Sequence, residues 1–113
     1  MEIKTRINKR KRRLLKIREW KGDALAKFIA VMVFNDVESV NRLCSNKVLG
    51  EAAKKLGLEE MVVDFSYRGV VKENKGLANA YEIKLWEVYE SEGLDRAIEF
   101  FRDTALVAYK EGA

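Results

Sequence analysis

Four oxygen-bearing side chains stand out for the chemistry their spacing permits: Glu19 and Asp23, four residues apart, and Asn79 and Glu82, three apart. On a helix, residues at i and i+3 or i+4 lie on one face, about one turn from each other. Each pair therefore projects from one side of its own helix, and two such helices packed face to face bring four oxygen donors together. That is the environment preferred by a hard divalent cation such as Mg²⁺ or Mn²⁺. Acids one turn apart are also common on solvated helix faces, so spacing by itself leaves an ordinary polar surface as the alternative. For Asn79, a hydrogen bond to a neighbouring helix competes with ligation.

The elements that must position these groups are helical. Leu14 and Ile17, then Leu25, Phe28, Ile29 and Met32, recur at a helical period and predict one long helix from about Arg12 to Phe34. Its second half is apolar on nearly every side, as expected of a central helix covered by neighbours or by a second subunit. Asp36 is placed to cap a short helix ending near Leu43, and Ser45 or Asn46 to cap another that runs to Leu56 and stops at Gly57. Met61-Val62-Val63 and Gly69-Val70-Val71 read as short strands or as a packed loop. A helix from Asn74 or Lys75 to Gly93 and a last one from Asp95 to about Lys110 complete an all-α chain. Phe28, Met32 and Phe34 are expected in the core or a dimer interface, and Trp20 and Trp86 as packing anchors.

At 113 residues the chain is long enough for one cored domain. It contains no histidine, which excludes histidine ligands and histidine-based triads, and its one cysteine, Cys44, excludes an intramolecular disulfide. Cys44 is expected to be a buried, inert thiol in a reducing, cytoplasmic setting. The longest apolar run, Ala24 to Phe34, is broken by Lys27 and falls short of the roughly 20 residues a membrane span needs, so no membrane partner is expected.

Charge is distributed unevenly. Residues 1–21 carry ten Lys/Arg against Glu2 and Glu19, a net +8, so the rest of a chain whose total is +4 sums to −4. Residues 1–12 read as a basic arm on a helical domain spanning 13–113. Lys9, Arg10, Lys11, Arg12 and Arg13 are candidates for contact with an RNA backbone, which gives affinity without sequence specificity. A solvated tail or a ribosomal anchor is the alternative. Lys75 and Lys27 are candidates for phosphate contact or for solvent-facing charge.

The order of short motifs carries a resemblance. Glu19-Trp20-Lys21-Gly22-Asp23-Ala24 is similar to the Glu-Phe-Leu-Gly-Asp-Ala signature of the ribonuclease III endonuclease domain. Leu43-Cys44-Ser45-Asn46, Leu49-Gly50-Glu51-Ala52-Ala53 and Leu56-Gly57-Leu58 follow where that family has Leu-Val-Ser-Asn, Leu-Ala-Glu-Ile-Ala and Leu-Gly-Leu. Lys75-Gly76-Leu77-Ala78-Asn79-Ala80-Tyr81-Glu82 resembles its Lys-x-Leu-Ala-Asp-x-Phe-Glu segment, and Gly93-Leu94-Asp95-Arg96-Ala97 its Gly-Leu-Glu-x-Ala. The resemblance covers about residues 16–102, with no double-stranded-RNA-binding segment expected after it.

The resemblance implies a homodimeric ribonuclease III-like helical fold that hydrolyses phosphodiesters in double-stranded or structured RNA with Mg²⁺ or Mn²⁺. It implies Glu19, Asp23 and Glu82 as catalytic, metal-coordinating carboxylates, with Asn79 where the family has a fourth, an Asp. An amide carbonyl still coordinates a hard cation, but losing one negative charge weakens the hold on it. Lys16 stands where the family has an earlier Glu, and Ile83-Lys84-Leu85-Trp86 replaces an Ala-Leu-Ile-Gly run. These departures keep open a second reading, a catalytically silent relative that binds structured RNA or a ribonucleoprotein. A structural or protein-interaction role without RNA is a third.

Overall fold

The computed structural model describes residues 9–61 and 73–112, and all the regular structure among them is helical. Helix α1 spans Lys9–Val33, so the chain is already helical three residues before the expected Arg12. Lysine and arginine are good helix formers, and Lys9–Arg12, the described part of the basic arm, belong to this helix. Helix α2 (Val37–Leu43) starts where Asp36 Oδ2 accepts from the Ser39 amide at 2.8 Å, a bond that also lowers the Asp36 pKa. Helix α3 (Asn46–Lys55) is capped by Ser45, whose Oγ accepts from Val48 N, which settles the choice between Ser45 and Asn46.

Gly57, at φ 71°, then turns the chain into a 3₁₀ turn at Glu59–Met61. Apart from Met61, which sits in that turn, the two candidate strand segments, Met61-Val62-Val63 and Gly69-Val70-Val71, lie outside the described residues. Helix α4 spans Glu73–Glu92 and ends at Gly93, at φ 91°. The single helix expected over Asp95–Lys110 is instead α5 (Leu94–Phe101), a π turn (Arg102–Leu106) and α6 (Val107–Lys110).

The π turn has an identifiable partner. Tyr81, fully buried on α4, hydrogen-bonds Thr104 Oγ1 at 2.6 Å, while Thr104 Oγ1 donates to Phe100 O at 2.7 Å. A π turn leaves backbone groups out of the regular ladder, and the Tyr81 hydroxyl bonds within that turn. The Tyr81 ring stacks on Phe100 and meets Phe101 edge-on, so apolar packing and the hydroxyl's bond fix α4 against α5 and the π turn.

The central helix is α4, not α1. It packs on α1, α3 and α5, and Leu77, Ala78, Ala80, Tyr81, Ile83, Leu85 and Val88 are buried around its circumference. Helix α1 contributes one face, Leu25, Ala26, Ile29 and Ala30, to the core. Its outer face leaves Phe28, Val31 and Met32 half exposed, and Trp20 is 66% exposed rather than a packing anchor. Trp86 is partly buried against Tyr89, with the Lys21 ammonium 5.2 Å from its ring centre. Phe34 packs edge-on to Tyr109.

Helices α1 and α4 come into backbone contact at Gly22. A Cβ there would stand 1.9 Å from the Glu82 carbonyl oxygen and 2.9 Å from the Glu82 Cα, so only glycine fits without moving α4. A glycine inside a helix costs about 1 kcal/mol relative to alanine, and here the cost secures backbone-to-backbone contact. Gly22→Ala is expected to destabilise the protein by about 3 kcal/mol through overpacking, read as a lower urea midpoint.

Candidate metal centre

The Gly22 contact places the two sequence pairs together. Glu19 lies one turn before Gly22 and Asp23 immediately after it, on the side of α1 that faces Glu82 of α4. Burial raises the Glu82 pKa far above its ordinary value near 4.5, and the Asp23 and Glu19 carboxyls raise it further through hydrogen bonding and charge. Glu82 is only 5% exposed, and the Glu19 side chain 14%. Asp23 is more open, with 36% of its side chain exposed. Burial and the two neighbouring carboxyls together favour the protonated, neutral form of Glu82.

Asn79 is 5% exposed and sits one turn before Glu82, on the same side of α4. Lys75, a further turn back on that side, is exposed. The four oxygen-bearing residues thus occupy facing sides of α1 and α4. Among the described residues, no group of three His, Cys, Asp or Glu side chains is gathered tightly enough to hold a metal ion as it stands. The electrostatics nonetheless fit a cation. A buried carboxyl whose closest ionisable neighbours are two more carboxyls carries negative charge only when something positive joins it.

Glu19 and Asp23 are each paired with a lysine that their own spacing did not bring forward as a partner. Lys16 Nζ lies 3.0 Å from Glu19 Oε1, and Lys27 Nζ lies 3.4 Å from Asp23 Oδ2. The signal was in the sequence, since Lys16 and Glu19 are i, i+3 and Asp23 and Lys27 are i, i+4. Cys44 is also close enough to feel this charge. Burial pushes its thiol up to about 12, with Asp23 adding to the rise, Lys27 opposing it and Glu82 adding less. The thiol stays protonated, which agrees with an inert cysteine.

The candidate RNA-contacting residues are less uniformly placed. Lys9, Arg10, Lys11, Arg12 and Arg13 occupy consecutive positions of α1 and therefore radiate around it. By helical register Lys9, Arg12 and Arg13 fall on the side of Lys16, Asp23 and Lys27, whereas Arg10 and Lys11 point elsewhere. Arg18 crosses to α4, its Nη1 3.8 Å from Glu87 Oε2. No described helix is long and apolar enough to cross a membrane.

Because the folded pKa of Glu82 is raised, the native state binds more protons than the unfolded state at every pH between 4.5 and the raised value. The stability this contributes is fully present below pH 4.5 and is lost as pH rises through that window, at up to about 1.4 kcal/mol per pH unit. Thermal melts in a chelating buffer from pH 5 to 9 are expected to show this fall, and Glu82→Gln to flatten it. Family models, curated proteins and solved structures yield no match to the chain, so any functional reading stands on this geometry and on the motif order.

Proposed function

We propose that the protein is a dimeric, metal-dependent endoribonuclease of ribonuclease III type that hydrolyses double-stranded or structured RNA. The observation that carries this reading is Glu82, buried at the Gly22 contact with Glu19 and Asp23 as its closest ionisable neighbours. Burying a carboxyl among carboxyls is costly for a purely structural site, and a divalent cation converts that cost into affinity. The ordered motifs from Lys16 to Arg102 point the same way.

In this reading Glu19, Asp23 and Glu82 hold the ion as carboxylates and Asn79 offers its amide oxygen. A bound Mg²⁺ or Mn²⁺ supplies Lewis acidity and lowers the pKa of water. The residues of the chain fix where that happens. Glu82 and Asn79 are anchored on a helix held against α1, α3 and α5, which limits the drift that would degrade ligand geometry. Glu82 would have to lose its proton to hold an ion as a carboxylate, so ion affinity would rise with pH.

Dimerisation is supported by the outer face of α1. Trp20, Phe28, Val31 and Met32 expose apolar surface, and Trp20, Ala24 and Phe28 border a groove completed by Trp86, Tyr89 and Leu94. A second copy would remove that surface from water. Wild-type protein is expected to sediment as a dimer at micromolar concentration, and Phe28→Glu to shift it to monomer.

A second reading has its own observation. Asn79 brings no negative charge to the place where a fourth carboxylate is expected, and a silent RNA-binding relative would need none. A duplex-RNA cleavage assay over a Mg²⁺ and Mn²⁺ titration separates the two. Asp23→Asn is expected to lower cleavage by at least about 100-fold, and Asn79→Asp to reach half-maximal rate at lower metal concentration. Salt-sensitive RNA binding with no cleavage by any form would select the silent relative.

A further inference from the structure

Resting on the metal-site reading above, we infer that Lys16 and Lys27 are exchangeable counter-ions: a divalent cation displaces them from Glu19 and Asp23, and an RNA phosphate backbone then takes them up. The lysines bracket the carboxylates along α1, one turn before Glu19 and one turn after Asp23, at 3.0 and 3.4 Å. Both lysine side chains are more than half exposed, so their ammonium groups can swing outward on four-carbon stems. Exposed helical pairs of this kind hold weakly, whereas an ion bound by several carboxylates holds strongly. Once the cation is in place, it neutralises the carboxylates and repels both ammonium groups.

A phosphate backbone crossing the site would meet those ammonium groups where they are released. Lys9, Arg13, Lys16 and Lys27 are exposed and share this side of α1 over about 27 Å of helix. The second pointer to a ligand is independent of the lysines. Glu82 is 95% buried, and the two lysines pair with Glu19 and Asp23 rather than with it, so they neutralise the rim of the site and leave its floor for the cation. Metal binding and RNA binding thereby become linked, each lowering the cost of the other.

The test uses the whole protein with Mn²⁺ alone, followed by electron paramagnetic resonance, and then a duplex RNA followed by anisotropy with and without Ca²⁺. Lys16→Gln/Lys27→Gln is expected to bind Mn²⁺ about threefold more tightly than wild type, because its competing cations are gone. Lys21→Glu, on the opposite side of α1 with the same two-unit charge change, is expected to leave Mn²⁺ affinity unaltered. In the anisotropy arm, Ca²⁺ is expected to tighten RNA binding by wild type and to do so at least about threefold less in the double variant. Unchanged or weaker Mn²⁺ binding in the double variant, or equal tightening in Lys21→Glu, would overturn the exchange while leaving the metal site standing. Absence of saturable Mn²⁺ binding by wild type, or binding unaffected by Asp23→Asn, would overturn both.

Discussion

Everything distinctive in this molecule depends on the contact between Gly22 of α1 and the backbone of Glu82 on α4. Two helices normally keep 8–10 Å between axes because side chains stand between them. With no Cβ at residue 22, the Glu82 carbonyl occupies the place a methyl group would take. The carboxylates at Glu19 and Asp23 flank that point, so the approach that closes the core also brings them to Glu82. Core packing and site assembly are therefore one event.

The second constraint is electrostatic. The site concentrates three carboxyls and an amide at the edge of an apolar core, and the chain balances them in layers. Glu82, at the bottom, is neutralised by its own proton, while Glu19 and Asp23, nearer to water, are neutralised by lysines. The depth of each group decides which solution it takes. A desolvated carboxyl without a close cation keeps its proton, and a carboxylate at the surface can recruit a long, hydrated side chain.

Much of the fold was legible from local chemistry. Asp36, Ser45, Gly57 and Gly93 mark helix ends because caps and left-handed turns are decided by a few adjacent residues. The spacing of Glu19 with Asp23 and of Asn79 with Glu82 correctly placed each pair on one helix face. What escaped was what distant residues decide. The π turn at Arg102–Leu106 bonds to the Tyr81 hydroxyl, more than twenty positions earlier, and no pattern within Asp95–Lys110 announces it. The centre of the fold was assigned to α1 because its second half is apolar all round, yet α4, which carries Asn79 and Glu82 in its own sequence, is the buried one. Hydrophobicity on every face signals covered surface, but not which partner covers it.

The position of α4 has a consequence for how the protein opens. Protection from exchange and from local unfolding follows burial and the number of elements packed on a segment, so a helix enclosed by α1, α3 and α5 belongs to the last part of the chain to come apart. Asn79 and Glu82 ride on that helix, whereas Asp23 and the lysines ride on α1, whose outer face meets solvent. Fluctuations that loosen the acidic cluster therefore belong to its α1 side, with α4 as the fixed wall against which it opens.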